Sequence, residues 1–157
     1  MFNRNVIAID LAKNLFQVCK TDKNGKVIYN QEFTRAKLKE LLITEKKSLV
    51  AMESFSGTHY WAHYAKQAGH HVKSINTRQV KAFRQGQKTD ANDALALSIA
   101  ARQPHVKESH LLSTQEQYLQ GIECMRDLLV KQKVSLSNQL RAFSLNWDMP
   151  FTKVMLS

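Results

Sequence analysis

The sequence predicts an α/β domain, a mixed sheet with flanking helices, followed by one long helix. Three observations point there. Two short apolar runs each end in an acid, VIAID at residues 6–10 and SLVAME at residues 48–53. Helical periodicity alternates with strand-like runs after residue 34. Residues 114–147 contain no proline, and their one glycine, Gly121, falls in the first turns.

Taken in order, Val6 to Asp10 reads as a strand, and Leu15 to Lys20 as a second. Asp22-Lys23-Asn24-Gly25-Lys26 is turn chemistry, because Asn-Gly tolerates positive φ. Val27 to Phe33 then makes a third strand and completes an antiparallel meander. Thr34 can cap a helix over about Arg35 to Lys46, with Leu38, Leu41 and Leu42 facing inward. Ser48 to Glu53 is a fourth strand. Thr58 to Ala68 is helical and stops at Gly69. His71 to Ile75 is a fifth strand, Thr77 to Arg84 a short helix, and Gln85-Gly86-Gln87 a loop. Asp90 to Arg102 is a helix that ends before Pro104. The order β-β-β-α-β-α-β-α is that of the RNase H-like fold, although other α/β folds share parts of it.

The expected division is residues 1–107 as the sheet domain and residues 108–157 as a linker and long helix. Ile122, Leu129, Leu136 and Phe143 recur every seven residues, a coiled-coil seam. The companion seam of Leu119, Leu140 and Trp147 is interrupted by Arg126 and Lys133. A projecting helix that pairs with another helix is expected, from a second copy or from further sequence. The alternative is a helix lying along the domain surface.

A chain of 157 residues that is 43% hydrophobic can bury a core, and no run is apolar enough to span a bilayer. The first residues, MFNRNVIAIDLAKN, are not a signal peptide, because the apolar stretch is short and Asp10 interrupts it. Cys19 and Cys124 lack metal-ligand spacing and read as free thiols of a cytosolic protein. The formal charge of +10 favours a polyanionic partner. Between residues 54 and 107 the basic residues are Lys66, Lys73, Arg78, Lys81, Arg84, Lys88, Arg102 and Lys107, and the only acids are Asp90 and Asp93.

Those two acids join Asp10 and Glu53 as a candidate metal and catalytic site. Asp10 and Glu53 end strands expected to be neighbours, and a carboxylate beside a buried strand needs a cation or donors. Asp90 and Asp93 share one helix face, where like charges repel. Four carboxylates form an oxygen-rich set suited to Mg²⁺ or Mn²⁺, and two such ions can serve phosphodiester chemistry. Each acid also has an ordinary role: Asp90 as a cap, Asp93 in a first helical turn, Asp10 in a turn and Glu53 at the surface. Lys13, Arg78, Lys81, Arg84, Lys88 and Thr89 are candidate nucleic-acid contacts. His59 and His63 stand four apart on a helix near His70 and His71, but no acid or cysteine accompanies them at zinc-ligand spacing. Ser54 and Ser56 have no marked partner base.

VIAIDLAK, AMESFSGTHYW and INTRQVKAFRQGQKTDANDALALSIAARQP, in that order, resemble the N-terminal domain of the DEDD transposases of bacterial insertion sequences, a family that includes pilin-gene invertases. The resemblance covers Val6 to Val106. It places the family's four acids on Asp10, Glu53, Asp90 and Asp93, its glycine on Gly57 and its aromatic on Tyr60. Asn76, Lys81 and Phe83 match the segment before the acidic helix. The resemblance implies an RNase H-like (RuvC-type) fold and Mg²⁺ binding. It implies action on insertion-sequence ends and target DNA in transposition and recombination. It further implies a structured guide RNA, a homodimer or tetramer, and a bacterial cytoplasmic location with the nucleoid. The helix at 114–147 is similar to the family's coiled-coil segment. Members continue into a second domain with a serine nucleophile, whereas this sequence stops at Ser157. The expectation is therefore a truncated product, a fragment or an engineered piece, carrying half of a composite active site. Two competing readings are a self-sufficient junction nuclease and a non-catalytic fragment that binds nucleic acid and oligomerises.

Overall fold

The computed structural model describes residues 4–12, 15–55 and 57–146. They contain five strands and five helices: β1 (Val6–Asp10), β2 (Leu15–Thr21), β3 (Val27–Thr34), α1 (Arg35–Thr44), β4 (Leu49–Glu53), α2 (Thr58–Gln67), β5 (His71–Ile75), α3 (Thr77–Lys81), α4 (Asp90–Arg102) and α5 (Thr114–Asn146). The chain divides into two compact units, residues 1–111 and 112–157.

In the first unit the strands form one mixed sheet in the order β3-β2-β1-β4-β5. The pairs β1–β2 and β2–β3 are antiparallel, and β1–β4 and β4–β5 are parallel. The two acid-ending strands, β1 and β4, are neighbours at the centre, and their first four residues are buried. That burial explains why both read as continuous apolar runs rather than alternating ones.

Each sheet face has its own core. Ile7, Ile9, Val18, Val50 and Met52 pack with Leu38 and Leu42 of α1 and with Trp61 and Ala65 of α2. Phe16 joins this side and meets Trp61 edge-on with ring centroids 5.0 Å apart. The next residues along the same strands, Val6, Ala8, Leu49 and Ala51, face the other way. There they meet Ala94, Ala96, Leu97, Ala100 and Ala101 of α4. The small side chains of α4 let its backbone lie close to the sheet.

Both ends of α4 are fastened. At its start Thr89 caps the helix by accepting from the Asn92 backbone N–H at 3.2 Å. At its end Arg102 donates to Thr21 Oγ1 at 2.7 Å, to the Lys23 carbonyl at 3.2 Å and to the Asp22 carbonyl. Lys73 of β5 is buried beneath the same end, with its Nζ 3.5 Å from the carbonyls of Ala101 and Gln103. A cation there complements the negative end of the helix. The segment after α4 returns to the sheet: Glu108 bridges to Ile75, and Ser109 N donates to Ser74 O at 2.7 Å.

In the second unit, Ser113 and Glu116 form a reciprocal cap at the start of α5. The Ser113 N–H donates to Glu116 at 2.7 Å, and the Glu116 N–H to Ser113 Oγ at 3.2 Å. Ile122, Leu129, Leu136 and Phe143 are all exposed. Trp147 lies outside the described residues. No helix among the described residues is long and apolar enough to cross a membrane.

Candidate metal and nucleic-acid site

The parallel pairing of β1 and β4 places Asp10 and Glu53 at the same end of the sheet, one residue beyond the paired Ile9 and Met52. The first turn of α4 brings Asp90 and Asp93 to that end. All four acids line one cavity of about 330 Å³, together with Thr77, Val80, Lys81, Arg84 and Lys88.

Local sequence fixes each wall. After Glu53 the chain turns sharply. The Thr58 hydroxyl donates to the Glu53 carbonyl and accepts from the Phe55 N–H at 2.9 Å, while Ser54 N donates to Ile75 O at 2.8 Å. Asn76 caps α3 by accepting from Arg78 N at 2.9 Å. This sets Thr77 in the wall, where its hydroxyl donates to Glu53 Oε2 at 3.0 Å. The loop before α4 turns at Gly86 (φ 78°), a backbone region that favours glycine. Asn92 secures that loop, its Nδ2 donating to Gln87 O at 2.8 Å. Gly57, in contrast, has φ −82°, and a Cβ there would meet nothing closer than the Phe55 ring at 3.8 Å.

The carboxylates act on one another electrostatically. The Asp10 carboxyl is pushed up to about 6 from the ordinary 3.8, first by burial and then by Glu53, Asp90 and Asp93; Lys88 opposes the rise. The Arg84 guanidinium pairs with Asp93, Nη1 to Oδ1 at 3.1 Å, both side chains being mostly buried. The donor chemistry fits a hard divalent cation: four carboxylates line one cavity, and burial together with the neighbouring acids raises the cost of ionising Asp10 there. The arrangement is not closed around such an ion. Among the described residues no group of three or more His, Cys, Asp or Glu side chains stands at the spacing that holds a metal.

The residues expected to contact nucleic acid fall in different places. Lys81, Arg84 and Lys88 line the cavity. Arg78 is exposed and outside its lining. Thr89 is the helix cap described above, and Lys13 lies outside the described residues. Thr77 is a cavity residue that the sequence reading did not single out. Its spacing from Glu53 carries no signal, since the two meet only through the β4–β5 pairing. The Arg84–Asp93 pair is equally silent at a separation of nine residues. Two further cations of the basic stretch, Lys73 and Arg102, are internal fasteners.

The histidines serve other ends. His70 is buried, accepting at Nδ1 from Ser48 N at 3.1 Å, with its Nε2 2.8 Å from the Leu42 carbonyl. His59 is held below its ordinary value by burial and by the nearby His63 and His110. Ser54 shares a hydrogen bond with Ser74 at 2.9 Å, and Ser56 lies outside the described residues.

Residues 7–145 match the DEDD transposase family model of IS110 type, described as a transposase. The chain is 34% identical over 147 residues to the transposase for insertion sequence element IS1328 of Yersinia enterocolitica, covering 94% of this chain and 44% of that protein. It is 34% identical over 139 residues to the probable family 20 transposase of Pseudomonas aeruginosa, covering 88% of this chain and 41% of that protein. It therefore spans less than half the length of these relatives. Among solved structures, RuvC of Thermus thermophilus is similar with a TM-score of 0.50 and 16% identity, covering 67% of this chain and 99% of that one. That likeness is one of fold: a RuvC-like, RNase H-like mixed sheet with flanking helices.

Proposed function

This chain belongs to the IS110-type DEDD transposase family, and from that premise we propose that it is the divalent-metal-binding part of a DNA transposase, acting on insertion-sequence ends and target DNA. The observation that supports this reading most is the convergence of Asp10, Glu53, Asp90 and Asp93 on one cavity. These four would hold Mg²⁺ or Mn²⁺. Bound ions would supply activation of the attacking oxygen and charge neutralisation of the leaving oxygen in phosphodiester chemistry.

The chain's own residues do the positioning. The Thr77 hydroxyl donates to Glu53 Oε2 and fixes the orientation of that carboxylate at the cavity. Lys81 and Lys88, on the same wall, supply positive charge for the phosphates of a bound strand. Lys88 also favours the ionised form of Asp10, and so its readiness to ligate. A guide RNA would be the second nucleic-acid partner, and a homodimer or tetramer would be built through the exposed seam of α5. The reaction of the whole protein then draws on a serine from a second domain, with this cavity as one half of a composite site.

The test is a calorimetric titration of Mn²⁺ into the wild-type chain and into Asp10→Asn. Wild type is expected to bind, with the variant at least about tenfold weaker. Equal binding, or none in either, overturns the metal role.

A further inference from the structure

We propose that Arg84 is an exchangeable counter-ion of the carboxylate cavity, holding Asp93 until a divalent cation takes that carboxylate and then turning to a phosphate of the bound strand. The inference rests on the metal reading above and adds a positioning residue to it.

Three observations carry it. First, the cavity is lined by three cations, Lys81, Arg84 and Lys88. Among the described residues only Arg84 forms an ion pair with one of the four acids. Second, the pair lacks the geometry of a strong fastener. It is a single N–O contact of 3.1 Å with each side chain still about a fifth to a quarter exposed, not the forked, fully desolvated contact that makes an arginine–carboxylate pair strong. Asp93 needs no arginine for its placement, since it sits in the first turn of a helix that Thr89 already caps. Third, the four carboxylates share a cavity yet do not stand at metal-holding spacing. Their mutual repulsion explains part of this. Arg84 contributes as well, because it holds Asp93 on a protein donor.

A divalent cation carries twice the charge of the guanidinium and accepts several oxygen ligands, so it displaces a one-point contact. The guanidinium cannot then stay beside the ion, because the two repel. Arg84 begins just past α3 and is followed by the loop that turns at Gly86. The displaced side chain remains at the mouth of the cavity, where a phosphate bound beside the metal presents oxygens in forked geometry. Arg84 thereby links the two binding events: metal releases the arginine, and the arginine receives the strand.

The experiment measures Mn²⁺ binding to the whole chain without nucleic acid, by the electron paramagnetic resonance signal of the free ion. It compares wild type, Arg84→Ala, Arg84→Gln and Lys81→Ala, with circular dichroism confirming that each is folded. Both Arg84 variants are expected to bind Mn²⁺ about fivefold tighter than wild type, and Lys81→Ala less than about twofold tighter. The second readout is affinity for a short DNA duplex. The Arg84 variants are expected to match wild type without metal and to bind about tenfold more weakly with saturating Mn²⁺. Unchanged or weaker Mn²⁺ binding in the Arg84 variants overturns the proposal, as does an equal gain in Lys81→Ala. Failure of every protein to bind Mn²⁺ overturns both this proposal and the metal reading, whereas binding by wild type with no Arg84 effect overturns this one alone.

Discussion

Ile9 and Met52 are register partners in the parallel pairing at the centre of the sheet. Neighbouring strands run about 4.8 Å apart, so the acids that follow, Asp10 and Glu53, leave the sheet side by side and pointing the same way. A hairpin could not do this, because antiparallel neighbours send their ends in opposite directions. The helix α1 crosses over between the two strands and makes the juxtaposition possible. At Asp10, burial first and the neighbouring acids second make ionisation costly.

That cost sets a pH dependence. The Asp10 carboxyl sits at about 6 in the fold against an ordinary 3.8. The folded chain therefore holds this proton more tightly than the unfolded one. The stability linked to it is fully present below about pH 4 and is lost as pH rises through 6. Asp10→Asn should match wild type near pH 4 and exceed it above pH 6 by about 1 kcal/mol, a figure discounted for the partial exposure of the group. Thermal melts in metal-free buffer from pH 4 to 7.5 should show the two curves separating across that window. A constant offset would rule this out.

Lys73 should behave as a core residue rather than as part of a basic surface. Lys73→Ala removes both the buried stem and the amine beneath the end of α4 and should cost about 2–3 kcal/mol in urea unfolding. Lys73→Met keeps the stem and should cost about half as much. A loss of nucleic-acid affinity with unchanged stability would contradict this placement.

Lys88 should behave in the opposite way. Lys88→Ala should leave the melting temperature within about 1 °C, because the side chain is exposed. It should lower the slope of log affinity for DNA against log salt by about one. An unaltered slope would remove Lys88 from the phosphate contacts.

The α5 seam should drive self-association. The wild-type chain should sediment as a dimer or larger at micromolar concentration, and the double variant Leu129→Asp, Leu136→Asp as a monomer with its sheet unit still folded. A wild type that remains monomeric at about 100 μM would show that the exposed stripe is not a self-pairing surface.

Much of the fold was legible because its central strands are buried on both faces and its helices carry clear caps. Thr34, Asn76 and Thr89 each accept from a backbone N–H of the helix that follows. The departures arise where distant contacts decide. The helix expected to reach Lys46 ends at Thr44, and Glu45 turns extended with its carboxylate 2.6 Å from Lys20. The helix expected to reach Arg84 ends at Lys81, with the Ala82 N–H turning to the Val80 carbonyl. The four acids could be found from strand ends and helix spacing. Thr77 could not, because its partner Glu53 lies 24 residues away across a strand pairing. The basic residues of positions 54–107 are continuous in sequence, yet burial divides them: Lys73 is internal, Lys81 and Lys88 are exposed and line the cavity, and Arg102 clamps a turn.

That clamp has a mechanical consequence. α4 is a rod of 13 residues, about 20 Å long, with the acidic pair on its first turn and Arg102 on its last. Arg102 grips the β2–β3 turn, which lies at the end of the sheet away from the cavity because Thr21 is paired with Val6. The rod is thus pinned at its far end and pressed along its length against β1 and β2. A shift of Asp90 and Asp93 along the axis of the rod would strain the Arg102 contacts at that turn. Adjustment of the cavity falls first to side-chain rotation, so loosening the distant turn should be felt at the carboxylates as a change in reach rather than in charge.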